Sequence, residues 1–325
     1  MYGGDITFLT LRSEREEIIN KTYITINSIL RRYSHIDRLI FCIDDVYTKS
    51  FRYGLPYGDL YKSKRYTTEP RYNPEAYKEM VLELRHKLNI SNISNIAVPS
   101  MEADDLVYCL SNLLFDAGES VLIISADKDL QQLVKYNQNA FIVMYNYQKA
   151  DTAFHYISHD YKVVNSSSVE SFFNNSPQDI NKNVILEKHE KIVAEKTLFL
   201  KILSGDSSDC IPSCFKYPKG SQFVNYTEKR ATDLYEDKYA EAFLLGGDVE
   251  TIFGDKHILG ELAKNILESV KQEVTMEKIF EVVKNLRINK KYIRLHHSEY
   301  PDNLYNIMER ECISELNKQK SIILQ

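Results

Sequence analysis

Apolar positions follow two different rhythms along the first half of the chain. Residues 13–33 place Ile18, Ile19, Tyr23, Ile26, Ile29 and Leu30 at near-helical spacing, with Ser13 and Glu16 set as a capping box, so the segment is predicted to be a helix. Arg38-Leu-Ile-Phe-Cys-Ile43 is instead a continuous apolar run of strand length that stops at Asp44, and Val121-Leu-Ile-Ile124 repeats the pattern ahead of Ser125-Ala-Asp127. Such runs suit strands buried on both faces of a parallel sheet. Between them the pattern predicts a helix near 74–88, a short apolar segment at Ile96-Ala-Val98, and a helix over 101–115 with Ser100 as its cap. Phe141-Ile-Val-Met-Tyr145 reads as a further strand.

Alternating strands and helices imply an α/β domain, with a mostly parallel central sheet flanked by helices. Ligands of such sheets gather at the carboxyl ends of the strands, where Asp44 and Asp127 fall. Residues 151–190 are polar and irregular, and 174–183 reads as a loop, so the predicted division is an α/β domain over 1–190 and a helical region over 191–325. In the second region helices are expected at Leu198–Leu203, Thr227–Tyr235, Leu259–Val270 and Met276–Leu286.

A length of 325 residues with 43% hydrophobic content is enough to bury a full core in two modest domains. The formal charge of −5 argues against a surface that is cationic throughout, but it leaves room for a local polyanion track. The five cysteines (Cys42, Cys109, Cys210, Cys214 and Cys312) are odd in number and scattered, which fits a reducing compartment. Cys210 and Cys214 lack two further soft ligands at useful spacing, so they are read as structural. With no apolar run of about 18 residues and no export signal, the chain is expected to be soluble, without membrane association, and cytoplasmic, or in the host cytoplasm if phage-encoded.

The chemistry lies in four acidic clusters: Asp44-Asp45, Glu102-Ala-Asp104-Asp105, Asp127-Lys-Asp129 and Asp206-Ser-Ser-Asp209. Each has an ordinary explanation by itself. Acidic residues in a first turn stabilise the helix dipole, Asp after a strand closes turns, and Asp206 with Asp209, on one face of a helical turn, is common after a helix-stopping glycine. If extended geometry persists past Ile124, Asp127 and Asp129 leave on the same side. Several carboxylates that converge raise one another's pKa and need cations to stay ionised, and a donor set without His or Cys favours Mg²⁺ or Mn²⁺ over zinc.

Taken in order and spacing, Phe41-Cys-Ile-Asp-Asp45, Met101-Glu-Ala-Asp-Asp-Leu106, Ile123-Ile-Ser-Ala-Asp-Lys-Asp129 and Lys201-Ile-Leu-Ser-Gly-Asp-Ser-Ser-Asp209 resemble the 5′-nuclease superfamily of flap endonucleases and 5′-3′ exonucleases, and are most similar to phage-type ribonuclease H. The resemblance covers most of 36–210 and fades beyond. It implies a 5′-nuclease (PIN-like) fold and two Mg²⁺ ions, with Mn²⁺ as a substitute. Asp44, Glu102, Asp104, Asp105 and Asp127 would form the tighter metal site, and Asp129, Asp206 and Asp209 the second. The implied activity is metal-dependent phosphodiester hydrolysis at 5′ ends, as a 5′-3′ exonuclease, flap endonuclease or ribonuclease H acting in phage or bacterial replication. The expected partners are DNA and RNA–DNA hybrids with 5′ ends or flaps, together with replication proteins, and the chain is expected to be a monomer.

Between the first two clusters, residues 49–66 interleave basic and aromatic residues, a composition that grips phosphates and stacks on unpaired bases, or else serves as a solvated connector. The resemblance assigns Arg52 and Lys62 to the scissile phosphate, catalytically, with Lys64 and Arg65 as further nucleic-acid contacts. The adjoining segment to about residue 88 would form an arch over a 5′ single strand. A helix-hairpin-helix-like element is implied downstream, with Lys229 and Arg230 near duplex phosphates, but residues 211–220 lack its glycine pattern, which leaves duplex binding and any potassium site open. Family members also open with a strand ending in a ligand Asp. Here Asp5 follows glycines, so either the given start omits residues or the sheet lacks its first strand and the metal site one ligand, and a catalytically impaired nucleic-acid-binding protein stays open as an alternative. Another carboxylate-metal hydrolase such as a phosphatase is a third. His155, His159, His296 and His297 lack a nucleophile context and are read as structural or surface residues.

Overall fold

The computed structural model describes residues 12–32, 36–63, 74–136, 139–145, 155–156, 161–163, 186–188, 193–235, 239 and 258–318. Asp5, Lys64, Arg65, His159 and the loop expected at 174–183 lie outside them. The chain forms two compact units. One comprises the described residues of 1–51, 65–190 and 302–325, and the other those of 52–64 and 191–301.

In the first unit, α1 (Arg12–Arg32) packs on α2 (Pro74–Ile90), and Arg15 pairs with Glu79 across them. Because α1 already begins at Arg12, Ser13 lies inside the first turn and not before it. Ile26, Val81 and Leu88 meet Ile43 and Ile93 in a buried cluster, so the apolar stripe of α1 covers the ends of two strands. Those strands, β1 (Ile40–Cys42) and β2 (Ser94–Ile96), pair in parallel with Ile40 opposite Ser94. The next helix, α3 (Ala103–Asp116), packs on β1 and on β3 (Val121–Ile124). Strand β3 pairs in parallel with β5 (Phe141–Tyr145), while β4 (Lys135–Tyr136) pairs antiparallel with β5.

Three short strands, β6 (His155–Tyr156), β7 (Tyr161–Val163) and β8 (Leu186–Lys188), extend this sheet antiparallel within the stretch expected to be irregular. At two or three residues each, they are too short to show a period of two. The parallel pairings are thus those that carry the acidic strand ends. The last helix of the chain to be described, α8 (Asp302–Leu316), returns to pack on α3 and β2.

The second unit is built on α4 (Val193–Ser204), α5 (Glu228–Asp233), α6 (Ile258–Ser269) and α7 (Met276–Ile293). Phe199, Ile202, Leu203, Leu262, Ile266, Val282 and Leu286 are buried in its core. The region is not wholly helical, since β9 (Lys216–Lys219) and β10 (Gln222–Asn225) form an antiparallel hairpin between α4 and α5. Among the described residues, no helix is long and apolar enough to cross a membrane, and all five cysteines are free thiols.

Past α7, Arg294 donates to Glu299 at 3.0 Å and Lys290 lies 3.3 Å from the same carboxylate, a largely buried ionic knot. Burial first, then Arg294 and His297, lower the His296 pKa from 6.5 to about 4. A neutral histidine in the folded state implies that the unfolded chain takes up a proton first on acidification. His296 therefore withdraws stability as pH falls from 6.5 towards 4 and contributes none of this dependence above that window. Urea midpoints followed by circular dichroism should decline across the window, and His296→Gln should flatten that part of the curve. A variant with the wild-type slope would assign the dependence to other groups.

Candidate functional site

In the first unit, the parallel pairing of β1 and β2 brings two acidic segments side by side. Ile43 N donates to Ile96 O at 3.0 Å, carrying the ladder one residue past β1, so Asp44 leaves the sheet beside the segment that leads into α3. Its Oδ1 accepts the Ala103 N–H at 2.7 Å. The opening amides of a helix lack intrahelical acceptors, and a carboxylate there also meets the positive end of the helix dipole. Glu102, not Ser100, is the N-cap residue, and its N–H donates to Asp105 Oδ2 at 2.8 Å. Asp105 is fully buried.

Ser100 has a different task. It adopts φ +65°, donates its N–H to Thr48 Oγ1 at 2.6 Å and accepts from Phe51 N at 2.9 Å. Asp45 closes the turn after β1 by accepting from Thr48 N at 2.9 Å, so the second acid of the Asp44-Asp45 pair is structural.

Asp104 is the electrostatic centre of this unit. Burial pushes its carboxyl well above the ordinary carboxylate range, and Asp127, Asp105, Asp44 and Glu102 add to the effect in that order. Asp104 keeps some solvent contact, yet protein and four acidic neighbours surround it. Five carboxylates from the ends of β1 and β3 and the start of α3 therefore share one neighbourhood, the chemistry that hard divalent cations relieve. Among the described residues, no three Asp, Glu, His or Cys side chains are placed so that together they could hold a metal ion.

The geometry after β3 differs from expectation. The extended backbone does not persist: a 3₁₀ turn over Lys128–Leu133 follows at once, and Asp127 caps it by accepting from Asp129 N at 2.9 Å. Asp127 is exposed and Asp129 half-buried, and the two do not leave a strand on a common face. A short polar residue ahead of free amides finds them more readily by turning the chain than by continuing a strand.

Asp206 and Asp209 lie in the second unit on a loop, not on a continuing helical turn. After α4 ends at Ser204, Gly205 turns at φ +75°, and Asp206 and Ile211 exchange backbone hydrogen bonds of 3.0 and 2.8 Å that close the loop. Lys201 donates to Asp206 Oδ2 at 2.8 Å, and Ser208 N to Oδ1 at 2.8 Å. Burial alone would raise the Asp206 carboxyl, but these donors outweigh it and hold it at about 2. The signal for Lys201 was present in the sequence: a lysine in the last turn of a helix, five residues ahead of an acid just past its end.

The basic, tyrosine-rich stretch enters the second unit differently from the way its composition implies. Arg52 is only 2% exposed, and its Nε donates to Tyr292 O at 3.0 Å, so as placed it anchors the main chain and does not present an open phosphate contact. Tyr61 is buried, with its ring 5.3 Å from Tyr53 and 5.1 Å from Tyr292. These rings pack with one another and are not offered to unpaired bases, because three large aromatics gain more from mutual burial than from water. Lys62 is at φ +54°, its N–H donates to Asp209 O at 2.8 Å, and its Nζ lies 4.9 Å over the Tyr61 ring. Lys62 is therefore stitched to the acidic loop that carries Asp206 and Asp209. Arg230 is also engaged, donating to Ser269 O at 2.7 Å and stacking over Tyr217, whereas Lys229 is exposed.

A family model described as "5′-3′ exonuclease, N-terminal resolvase-like domain" matches residues 6–169. The chain is 32% identical over 116 residues to a 5′-3′ exonuclease of Buchnera aphidicola subsp. Acyrthosiphon pisum, covering 36% of this chain and 38% of the relative. It is 28% identical over 124 residues to the thermostable DNA polymerase I of Thermus aquaticus, covering 38% of this chain and 14% of that enzyme. The matched segments thus span well under half of these curated relatives. Among solved structures, the T5 D15 protein co-crystallized with metal ions is similar at a TM-score of 0.52 and 16% identity, covering 96% of this chain and 97% of that one. A bacteriophage T5 D15 flap endonuclease complex with DNA and metal ions also gives 0.52 at 16% identity, covering 92% of this chain and 91% of that one. At this identity the structural likeness is one of fold.

Proposed function

The chain belongs to the 5′-3′ exonuclease family with an N-terminal resolvase-like domain, within the 5′-nuclease superfamily, and from that premise we propose that it is a divalent-metal-dependent nuclease hydrolysing phosphodiesters at 5′ ends and flaps of DNA, and RNA primers in RNA–DNA hybrids. The observation that carries the reading is the crowding of Asp104 by Asp127, Asp105, Asp44 and Glu102. Together these five would hold the tighter of two Mg²⁺ or Mn²⁺ ions. Asp129, Asp206 and Asp209 are proposed as the further acidic ligands. When bound, paired cations would supply an activated water and stabilise charge on the phosphate. Lys62 would orient the phosphate, and Arg52 would act through Lys62 by fixing the 52–62 segment on Tyr292. Lys64, Arg65, Lys229 and Arg230 are proposed to contribute to nucleic-acid binding. The metal ions and DNA bound by the T5 flap endonuclease support the same reading.

The test is a 5′-labelled flap duplex and an RNA-primed hybrid incubated with Mg²⁺ or Mn²⁺, wild type against Asp127→Asn. The expected result is cleavage near the 5′ junction by the wild type and a loss on the order of a hundredfold in the variant. Substrate bound but uncut by both proteins would favour a binding protein of the same fold. Phosphate release from a small monoester, with no strand cleavage, would favour a phosphatase.

A further inference from the structure

The β9–β10 hairpin of the second unit carries an outward face that its fold does not use. Antiparallel partners share a face, so Tyr217 and Val224 form one side, which joins the core, while Lys216, Pro218, Phe223 and Asn225 form the other. All four outward residues are exposed, and Phe223 is 74% exposed. Lys219 and Gln222 pair at the tip, around a two-residue loop in which Gly220 takes φ +64° at the position that a type II′ turn reserves for glycine.

The hairpin is held firmly. Cys214 N donates to Leu203 O at 2.9 Å, Tyr226 N to Phe215 O at 2.9 Å, and Ser213 Oγ to Phe215 O at 2.8 Å. Its base is thereby tied to the end of α4, beside the loop that bears Asp206 and Asp209. Residues 215–230 contain four basic residues and one acidic residue, in a chain whose net charge is −5. A fixed aromatic ring that shares its face with Lys216, on a locally cationic element of an otherwise acidic protein, matches the pairing that single strands require: a π-face for a base and a cation for an adjoining phosphate.

We propose that this outward face is a nucleic-acid contact in which Phe223 stacks on an unpaired base while Lys216, on the same face, meets a neighbouring phosphate. The proposal rests on the nuclease reading above and adds to it a base-stacking contact on the hairpin that precedes Lys229 and Arg230.

The chain contains no tryptophan, so Phe223→Trp installs a single reporter at the contact. Short oligodeoxythymidylate in EDTA should quench its fluorescence to saturation. Phe223→Ala should weaken binding of a 5′-flap duplex, read by anisotropy, by about fivefold to a hundredfold. Lys216→Ala should lower the slope of log affinity against log salt by about 0.7. Circular dichroism should show the wild-type spectrum for each variant. An unquenched tryptophan together with wild-type affinity in Phe223→Ala would overturn the hairpin contact and leave the nuclease reading standing, provided flap cleavage persists. Failure of the wild type to bind or cut would remove both. A change in sedimentation on Phe223→Ala, with unaltered nucleic-acid affinity, would assign the face to a second copy of the chain and also overturn the proposal.

Discussion

Replacing Asp104 with asparagine is expected to abolish most cleavage while leaving the folded protein as stable as before, or more so. Asparagine keeps the shape of the side chain and removes its charge. Burial and four acidic neighbours already press the Asp104 carboxyl towards its neutral form, so in chelator the substitution relieves repulsion. A gain of about 1 kcal/mol is the scale on which such functional strain is released. With Mg²⁺ or Mn²⁺ present, the same change would remove a proposed ligand, and the rate should fall on the order of a hundredfold or more. Urea unfolding in EDTA and flap cleavage in Mg²⁺ read the two halves separately. A variant that is less stable in EDTA and still active would mean that Asp104 serves the fold and not the chemistry.

Gly205→Ala should show the opposite pattern, losing stability and function together. Gly205 sits at φ +75°, and a Cβ there would lie 2.3 Å from Ile211 O and 2.5 Å from Pro212 O, both backbone atoms that cannot swing aside. Accommodating it means opening the Asp206–Ile211 pair that closes the acidic loop. Left-handed backbone in a residue with a side chain costs about 1 to 3 kcal/mol, and the clash adds to that, so a loss of more than about 2 kcal/mol is expected. Gly118→Ala is the control: its φ is +81°, but its Cβ would meet nothing within 4 Å, so it carries the backbone strain alone. Equal urea midpoints for the two variants would show that the loop yields without resistance.

The parts of the fold legible in the sequence were those with long, uniform patterns. The apolar runs before Asp44 and Asp127, and the stripes of α1, α2 and α3, are each several residues of one period, and they emerged within a few residues of their predicted bounds. Strands β6 to β8 were too short to carry a period. In the β9–β10 hairpin, Pro218 and Gly220 read as breakers, and the single buried position of β9, Tyr217, gives no alternation to detect. Helix α8 returns to the first unit from the far end of the chain, a tertiary relation that local pattern does not encode.

The candidate site was legible through the order of its acidic clusters, because each cluster alone resembles a turn or a helix start. The local behaviour of its members was not. Asp45 and Asp127 do close turns, as isolated Asp residues commonly do, while Asp127 also adds to the crowding at Asp104. Arg52 and Tyr61 show the limit of composition. Basic and aromatic residues in one stretch suggest a surface for nucleic acid, but burial of a ring or a guanidinium depends on partners such as Tyr292, which is distant in sequence.

The central claim is that the carboxylates around Asp104 bind divalent cations. Titrating the protein with Mn²⁺ and counting free ion by electron paramagnetic resonance tests this without any substrate. The wild type should remove Mn²⁺ from solution at saturable sites for which Mg²⁺ competes, and Asp44→Asn with Asp104→Asn should lose the tighter of them. Mn²⁺ that stays free with the wild type, or binding that the double variant leaves unchanged, would contradict the account.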